Sequence, residues 1–154
     1  MSIDPSHEPH TIASDVIAIA APIDTVWAVL ADFPRYGEWN PLCREITVDP
    51  VAGGAVAMRV WNEGVGDYVV VDYTIAAFAP PRHLAWTGRF APMGLVARRD
   101  QFLQAVGPGQ SLYWTVDIYT GPSAAELAAA NGQWISASFN DMAEQLRLRA
   151  EAQA

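Results

Sequence analysis

Short segments rich in β-branched and aromatic residues, separated by proline and glycine, make up most of the chain before residue 120. Residues 11–20 combine Ile, Val and Ala in a pattern typical of a strand, and Pro22 ends it. Because short turns containing glycine or proline separate most of the segments that follow, an antiparallel meander is predicted. Its six strands are predicted at 45–49, 55–62, 68–78, 83–90, 97–106 and 112–119.

Helical spacing first appears at residues 22–32, where apolar side chains recur three and four positions apart. This spacing predicts a short helix with one apolar face, which Pro34 stops. Residues 36–41 predict a second, brief helical turn that ends at a proline.

A long amphipathic helix is predicted in the C-terminal region. Ser123 and Glu126 have the spacing of a capping box, in which each side chain bonds a free backbone N–H at the helix start. Asn131 and Gly132 favour a kink or a break, because glycine costs about 1 kcal/mol relative to alanine inside a helix. One face of the helix carries a continuous stripe, formed by Leu127, Trp134, Ile135, Ser138, Phe139, Met142 and Leu146.

These elements predict an α+β fold. A curved antiparallel sheet of about seven strands wraps around the long C-terminal helix, with the two short helices between strands 1 and 2. Because one helix covers a strongly curved sheet incompletely, we expect an internal cavity between them. Residues 1–10 are predicted to form a flexible tail, and 11–150 a single domain.

Composition narrows the range of partners. The 154 residues carry a formal net charge of −8, so we expect no binding to nucleic acid or to an acidic membrane surface. No apolar run approaches the roughly eighteen residues of a membrane helix, and residues 1–11 lack a signal-peptide pattern, so a cytoplasmic protein is expected. Cys43 is the single cysteine and is expected to pack as a small apolar residue. Six tryptophans suit the walls of a cavity for a flat ligand, with core packing as the alternative.

Three motifs follow one another along the chain. They are residues 21–27 (APIDTVW) leading to Leu30 and Asp32, residues 36–41 (YGEWNP), and residues 80–86 (PPRHLAW) after a long strand. With the turn at 107–109 and the C-terminal helix, they resemble the START-related (SRPBCC) superfamily, which includes polyketide cyclase/dehydrase-like and birch-pollen-allergen-like proteins. The resemblance covers roughly residues 11–150.

That resemblance implies the helix-grip fold but no single activity. Members of the superfamily bind lipids, hormones or polyketides, some catalyse cyclisation or aldol-type reactions, and others act as coregulators. The Ala-rich stretch at 121–131 departs from many relatives, so the resemblance does not place the entrance of the cavity.

Strand alternation assigns side chains to the two faces of the sheet. Tyr73 shares one face of its strand with other apolar residues and is predicted to point inward, as is Trp86 on the next strand, whereas His83 is predicted outside. The same test predicts Trp114, Val116 and Ile118 inward, and Tyr113, Asp117 and Tyr119 on the opposite face. The candidate ligand-binding residues are Trp39, Trp61, Tyr73, Trp86, Phe102, Trp114, Trp134, Ser138, Phe139 and Met142, with ordinary core packing as the alternative for each.

Candidates for acid–base chemistry are fewer. Residues 97–106 fit either register, and an inward Arg99 or an inward Asp100 would need a partner or a ligand to offset its burial. The same holds for Arg59. Tyr73 with Arg59, Arg99 or Asp100 is therefore the candidate catalytic set, and a solvated surface position is the alternative for each charged residue. No metal or cofactor site is predicted.

We therefore expect a hydrophobic or aromatic small molecule as the partner, and a monomer or homodimer. The residues alone favour a binding protein and an enzyme equally; the resemblance to cyclase/dehydrase-type members implies a cofactor-independent enzyme of the cyclase, dehydratase or lyase kind. The alternatives are a non-catalytic carrier of a lipid or aromatic molecule, and a coregulator module that binds another protein. Two or more buried ionisable groups facing each other would favour the enzyme, whereas an entirely apolar cavity would favour the carrier.

Overall fold

The computed structural model describes residues 8–154 as eight strands, two α-helices and two short 3-10 helices. The helices are α1 (Ile23–Leu30) and α2 (Ala124–Gln153), and the 3-10 helices are Phe33–Glu38 and Ala91–Met93. The strands are β1 (His10–Ala13), β2 (Ile17–Ile19), β3 (Cys43–Val48), β4 (Ala55–Asn62), β5 (Asp67–Ala79), β6 (His83–Phe90), β7 (Leu95–Gly107) and β8 (Gln110–Thr120).

All eight strands belong to one antiparallel sheet in the order β1-β8-β7-β6-β5-β4-β3, and β2 also pairs with β8. Register shifts in the β3–β4, β5–β6 and β7–β8 pairs insert extra residues into the ladders. Such bulges bend the strands and increase their twist, which gives the sheet its curvature. The helix-grip fold predicted from the sequence is confirmed.

The first predicted strand is two strands. Between β1 and β2 the chain leaves the ladder, and the backbone N–H of Asp15 donates a hydrogen bond to Oδ1 of Asn140 on α2 (2.8 Å). Both β1 and β2 pair with β8, so the sheet has eight strands where about seven were predicted.

Helix α2 lies against the inner face of the sheet, and its stripe forms the centre of the core, where Phe139, Met142 and Leu146 are buried. The predicted break does not occur. α2 is continuous through Gly132, and the Asn131 side chain donates a hydrogen bond to the Leu127 carbonyl oxygen within the helix (3.0 Å). Among residues 8–154, no helix has the length and apolar character needed to cross a membrane.

The predicted capping box at the start of α2 is wrong. Ser123 precedes the helix, but its hydroxyl donates a hydrogen bond to the Gly94 carbonyl oxygen (2.9 Å) and does not cap α2. Gly94 has a left-handed backbone (φ 58°) that an L side chain rarely adopts. This bond joins the start of α2 to the β6–β7 turn, at one end of the space enclosed by the sheet.

Candidate functional site

A cavity of about 280 Å³ lies between the inner face of the sheet and the N-terminal half of α2. Alternate residues of β4 and β5 form one wall because every second side chain of a strand faces the same side. Met93, in the β6–β7 turn, is 51% exposed and also lines the cavity, so the cavity reaches the surface there. The apolar and aromatic lining comprises Leu42, Met58, Val60, Trp61, Val69, Val71, Tyr73, Trp86, Phe90, Met93, Leu95, Ala97, Tyr119, Leu127, Trp134, Ile135 and Phe139.

Six of the candidate residues from the sequence line this cavity. Tyr73 and Trp86 lie on its inner sheet face, as the strand alternation predicts, and Arg99 also points inward. Gly88 makes room for the tyrosine, because a Cβ atom at this glycine would lie only 2.6 Å from Cδ1 of Tyr73. The six are Trp61, Tyr73, Trp86, Arg99, Trp134 and Phe139.

The guanidinium of Arg99 is the cation of the cavity. Arg99 is 8% exposed, and its Nε donates a hydrogen bond to Oγ1 of Thr115 (2.9 Å). Its charge lies over the ring of Phe139, 4.4 Å from the centroid, and Nη2 is 3.1 Å from Sδ of Met142. These contacts hold the group without neutralising its charge, so Arg99 supplies a positive field to the cavity.

Asp117 is the residue that the sequence prediction missed. It is the cross-strand partner of Arg99 in the β7–β8 ladder, and its half-buried side chain also lines the cavity. Burial raises the pKa of its carboxyl to about 7, since the opposing effect of the Arg99 charge is smaller and Asp100 adds a like charge. The cavity therefore holds a carboxyl group that exchanges a proton near neutral pH.

The other polar residues of the lining are Asn62, Asn131 and two tyrosines, Tyr73 and Tyr119. Burial raises the pKa of Tyr73 and of Tyr119, and the Asp117 charge raises both further. Both phenols consequently stay protonated over the physiological range and can donate hydrogen bonds to a ligand. Asp117, Arg99, Tyr73 and Tyr119 thus combine a proton-exchanging acid, a fixed cation and two neutral donors.

The predicted faces of β8 are reversed. Trp114, Val116 and Ile118 lie on the outer face of the sheet, where Trp114 stacks on Phe102 of β7 with 5.3 Å between ring centroids. The inward residues are Tyr113, Thr115, Asp117 and Tyr119. The polar groups among them find partners inside, since Tyr113 donates a hydrogen bond to Oε1 of Gln101 (2.7 Å) and Thr115 accepts one from Arg99.

Asp100 and Arg59 lie outside the cavity. The register of β7 places Arg99 inward, so Asp100 faces the outer side, where it pairs with His83 (2.7 Å) and Arg98 (2.9 Å). Burial opposes ionisation of Asp100, but hydrogen bonds from Arg98 and His83 outweigh it and lower its pKa. Arg59 is exposed beside Glu45 (3.9 Å) because its neighbours Met58 and Val60 face inward.

The remaining candidate residues also lie away from the cavity lining. Phe102 and Trp114 form the outer stack, and Trp39 packs its ring against Tyr36 with centroids 5.3 Å apart. Met142 is fully buried behind Arg99, and Ser138 lies in a surface groove beside α2.

The Cys43 thiol is held in its neutral form. The residue is buried, and burial raises the pKa of the thiol to about 12. A thiol with so high a pKa is a poor nucleophile at neutral pH, so Cys43 packs as a small apolar side chain.

A helix-grip domain with these motifs resembles START-related proteins, and comparison with known proteins gives the family. Residues 10–151 match the family model described as "Polyketide cyclase / dehydrase and lipid transport", so the chain belongs to this family. No curated protein matches the chain in sequence.

Several solved structures share the fold at low sequence identity. A protein from Nitrosomonas europaea is 17% identical, with a TM-score of 0.71 and 98% of each chain covered. The di-domain ARO/CYC StfQ from the steffimycin biosynthetic pathway is 11% identical with a TM-score of 0.74, and the match covers 96% of this chain and 52% of that one. A norcoclaurine synthase from Thalictrum flavum is 12% identical with a TM-score of 0.68, covering 98% and 100%.

Proposed function

We propose that this protein binds a small aromatic or hydrophobic molecule in the cavity and acts on it as a cofactor-independent enzyme of the cyclase, dehydratase or lyase kind. The observation that carries the proposal is the placement of Asp117 and Arg99 as cross-strand partners that both line an aromatic-walled cavity. Facing ionisable groups of this kind favour catalysis over simple carriage.

Asp117 is the proposed general acid–base. Its pKa of about 7 means that the carboxylate and the carboxylic acid are both well populated at neutral pH, which suits proton transfer in either direction. As carboxylate it removes a proton from the carbon next to a substrate carbonyl. The electron pair of that C–H bond moves onto the carbonyl oxygen, which becomes an enolate.

Arg99 is proposed to stabilise this enolate, because a fixed cation in a water-poor site lowers the energy of a developing negative charge. The enolate then expels a β-hydroxyl group and forms a C=C bond. The leaving hydroxide takes the proton from Asp117, which releases water and returns the carboxylate. Tyr73 and Tyr119 donate hydrogen bonds to substrate oxygens.

The cavity walls define the substrate class. The volume of about 280 Å³ is just below the roughly 300 Å³ at which the usual range of ligand pockets begins. Flat rings of Trp86, Trp134 and Phe139 surround it, so an aryl ketone of one or two rings is the proposed ligand class. The family description, cyclase/dehydrase and lipid transport, agrees with this class.

Proton exchange tests the proposal without knowledge of the natural substrate. A methyl aryl ketone incubated with the protein in D2O should exchange its methyl protons, followed by NMR. Asp117→Asn should slow exchange by roughly 100-fold or more, as for loss of a general base, and should still bind the ketone. Arg59→Gln, an exposed control, should behave as wild type.

Three outcomes separate the possibilities. Exchange that depends on Asp117 supports the enzyme. Tight binding without any exchange above the solvent rate contradicts catalysis of this kind and supports a carrier. Absence of binding, measured by tryptophan fluorescence and thermal shift across a panel of aryl ketones, contradicts the proposed ligand class.

A further inference from the structure

The internal cavity shares a wall with a second depression on the surface of the protein. This depression, the outer groove, has a volume of about 490 Å³ and runs between α2 and the ends of β4 and β5. Leu42, Trp61 and Trp134 line both the cavity and the outer groove. These three residues therefore form a wall that the two spaces share.

The two indoles of this wall hydrogen-bond only to residues near them in the sequence, and neither is bonded to an element across the wall. The Trp61 N–H donates a hydrogen bond to Glu63, two residues away on the exposed β4–β5 turn (2.7 Å). The Trp134 N–H donates to Oδ1 of Asn131, one turn earlier on α2 (3.0 Å). Both tryptophans are only half-buried and pack at the edge of the core, so rotation of either ring displaces fewer contacts than movement of a fully buried residue such as Phe139.

The outer groove suits a polar group that is not an anion. It is lined by the hydroxyl of Ser138 and the carboxylates of Asp141 and Glu63, and no lysine or arginine of the described chain contributes to it. The Tyr68 hydroxyl is already engaged, since it donates a hydrogen bond to the Pro41 carbonyl oxygen (2.8 Å). Glu63 accepts the Trp61 N–H through one oxygen and keeps its other oxygen, so the groups open to a ligand are mainly hydrogen-bond acceptors, which favour a donating partner.

The geometry points to a second subsite: the outer groove holds a hydroxyl-bearing tail of the ligand whose aromatic ring occupies the cavity, and the tail passes between Trp61 and Trp134. This inference rests on the proposed function, because it requires an aromatic ligand in the cavity. It is also consistent with the small volume of the cavity, since a tail attached to a ring system of one or two rings must extend beyond it.

Three aryl ketones test this subsite by titration of tryptophan fluorescence. The first has no tail, the second has a four-carbon tail ending in a hydroxyl, and the third has the same tail ending in a carboxylate. The hydroxyl tail should improve affinity about tenfold over the untailed ketone. The carboxylate tail should lose this gain, because Asp141 and Glu63 repel it.

A matched pair of variants identifies where the tail binds. Ala137 is exposed on α2 and lines the outer groove but not the cavity, so Ala137→Trp fills the groove. Ala129→Trp introduces the same side chain at an exposed position of α2 that lines neither space and is not a helix neighbour of Trp134. Ala137→Trp should abolish the gain from the hydroxyl tail and leave the untailed ketone unaffected, whereas Ala129→Trp should change neither affinity.

The results separate failure of the subsite from failure of the proposed function. If the untailed ketone binds but the hydroxyl tail adds nothing, or Ala137→Trp leaves the gain intact, the subsite is wrong and the cavity proposal stands. If the untailed ketone itself does not bind, the proposed function fails and the subsite with it.

Discussion

Arg99 and Asp117 lie directly opposite each other on β7 and β8, face the same cavity, and yet form no ion pair within 4 Å. Opposite charges at such cross-strand positions commonly interact. Here the guanidinium is held by Thr115, Met142 and Phe139, so the Asp117 carboxyl gains only part of the stabilisation that a close ion pair would give. The result is a carboxyl with an unusually high pKa opposite a fixed cation.

Asp117→Asn is expected to be more stable than wild type, and the difference in the free energy of unfolding should grow as the pH rises. The pKa of this carboxyl is about 7 in the folded chain against an ordinary value of 3.8. Burying the protonated carboxyl costs less free energy than burying the carboxylate. The contribution of the protonated carboxyl to the free energy of unfolding is therefore fully present below about pH 4 and is lost as the pH rises through 7. The variant avoids that loss and should gain about 1–3 kcal/mol relative to wild type between pH 4.5 and 8.

Urea unfolding at several pH values measures this difference. Groups that titrate equally in both proteins cancel in the comparison. Asp72→Asn, at an exposed position on the outer face of β5, is the control and should track wild type. Parallel stability profiles for wild type and Asp117→Asn would show that this carboxyl is not perturbed.

Arg99→Met is expected to raise the pKa of Asp117 above 7. The Arg99 charge lowers that pKa in the wild-type protein, and methionine keeps an apolar side chain of similar length without the charge. Carboxyl ¹³C chemical shifts followed against pH give the value directly. Arg98→Met, on the outer face, is the control and should leave the pKa of Asp117 unchanged. A lower pKa of Asp117 in Arg99→Met would contradict the proposed effect of the Arg99 charge.

The sequence predicts the order of the elements well because proline, glycine and period-two alternation act locally. On β5, polar residues mark the outer face, and Tyr73 lies inside as predicted. On β8, alternation separates Trp114 and Val116 from Thr115 and Asp117, but it does not say which set faces inward. The apolar set was assigned to the core, and this assignment is wrong.

The reversal on β8 has a physical cause that lies on other strands. Inward polar residues are tolerated because β7 supplies Gln101 to Tyr113 and Arg99 to Thr115. The outward Trp114 is partly covered by stacking on Phe102. Such partners become neighbours only in the folded sheet, which is why Asp117 could not be found from the sequence while Tyr73 and Trp86 could.

Asp100→Asn is expected to destabilise the fold while leaving the residues that line the cavity in place. The carboxylate accepts hydrogen bonds from Arg98 and His83, and its pKa is lowered despite burial. Its contribution is therefore present above an ordinary carboxyl pKa and is lost as the pH falls. The variant should lose about 1–3 kcal/mol at pH 7 and show a flatter stability profile in acid.

Ketone exchange distinguishes an outer structural role for Asp100 from a catalytic one. Below the unfolding temperature of the variant, exchange should stay close to the wild-type rate, because the Asp100 side chain faces away from the cavity and influences Asp117 only through its charge, a minor cause of the raised pKa. A loss of exchange in Asp100→Asn as large as that in Asp117→Asn, with unchanged ketone affinity, would show that Asp100 belongs to the catalytic residues.

Gly88→Ala is expected to displace the Tyr73 ring from its place beside the cavity. The new methyl group would lie 2.6 Å from Cδ1 and 2.9 Å from Cε1 of Tyr73, and the Asp72 carbonyl oxygen at 3.3 Å limits retreat on the other side. Overpacking of this kind costs about 1–3 kcal/mol.

Gly107→Ala is the control, since nothing lies within 4 Å of its added carbon. Chemical denaturation gives the stabilities, and Tyr73→Leu combined with Gly88→Ala should recover part of the loss, because the smaller side chain removes the clash. If Gly88→Ala lowers the free energy of unfolding equally with Tyr73 and with Tyr73→Leu, the close contact between Gly88 on β6 and the Tyr73 ring on β5 is contradicted.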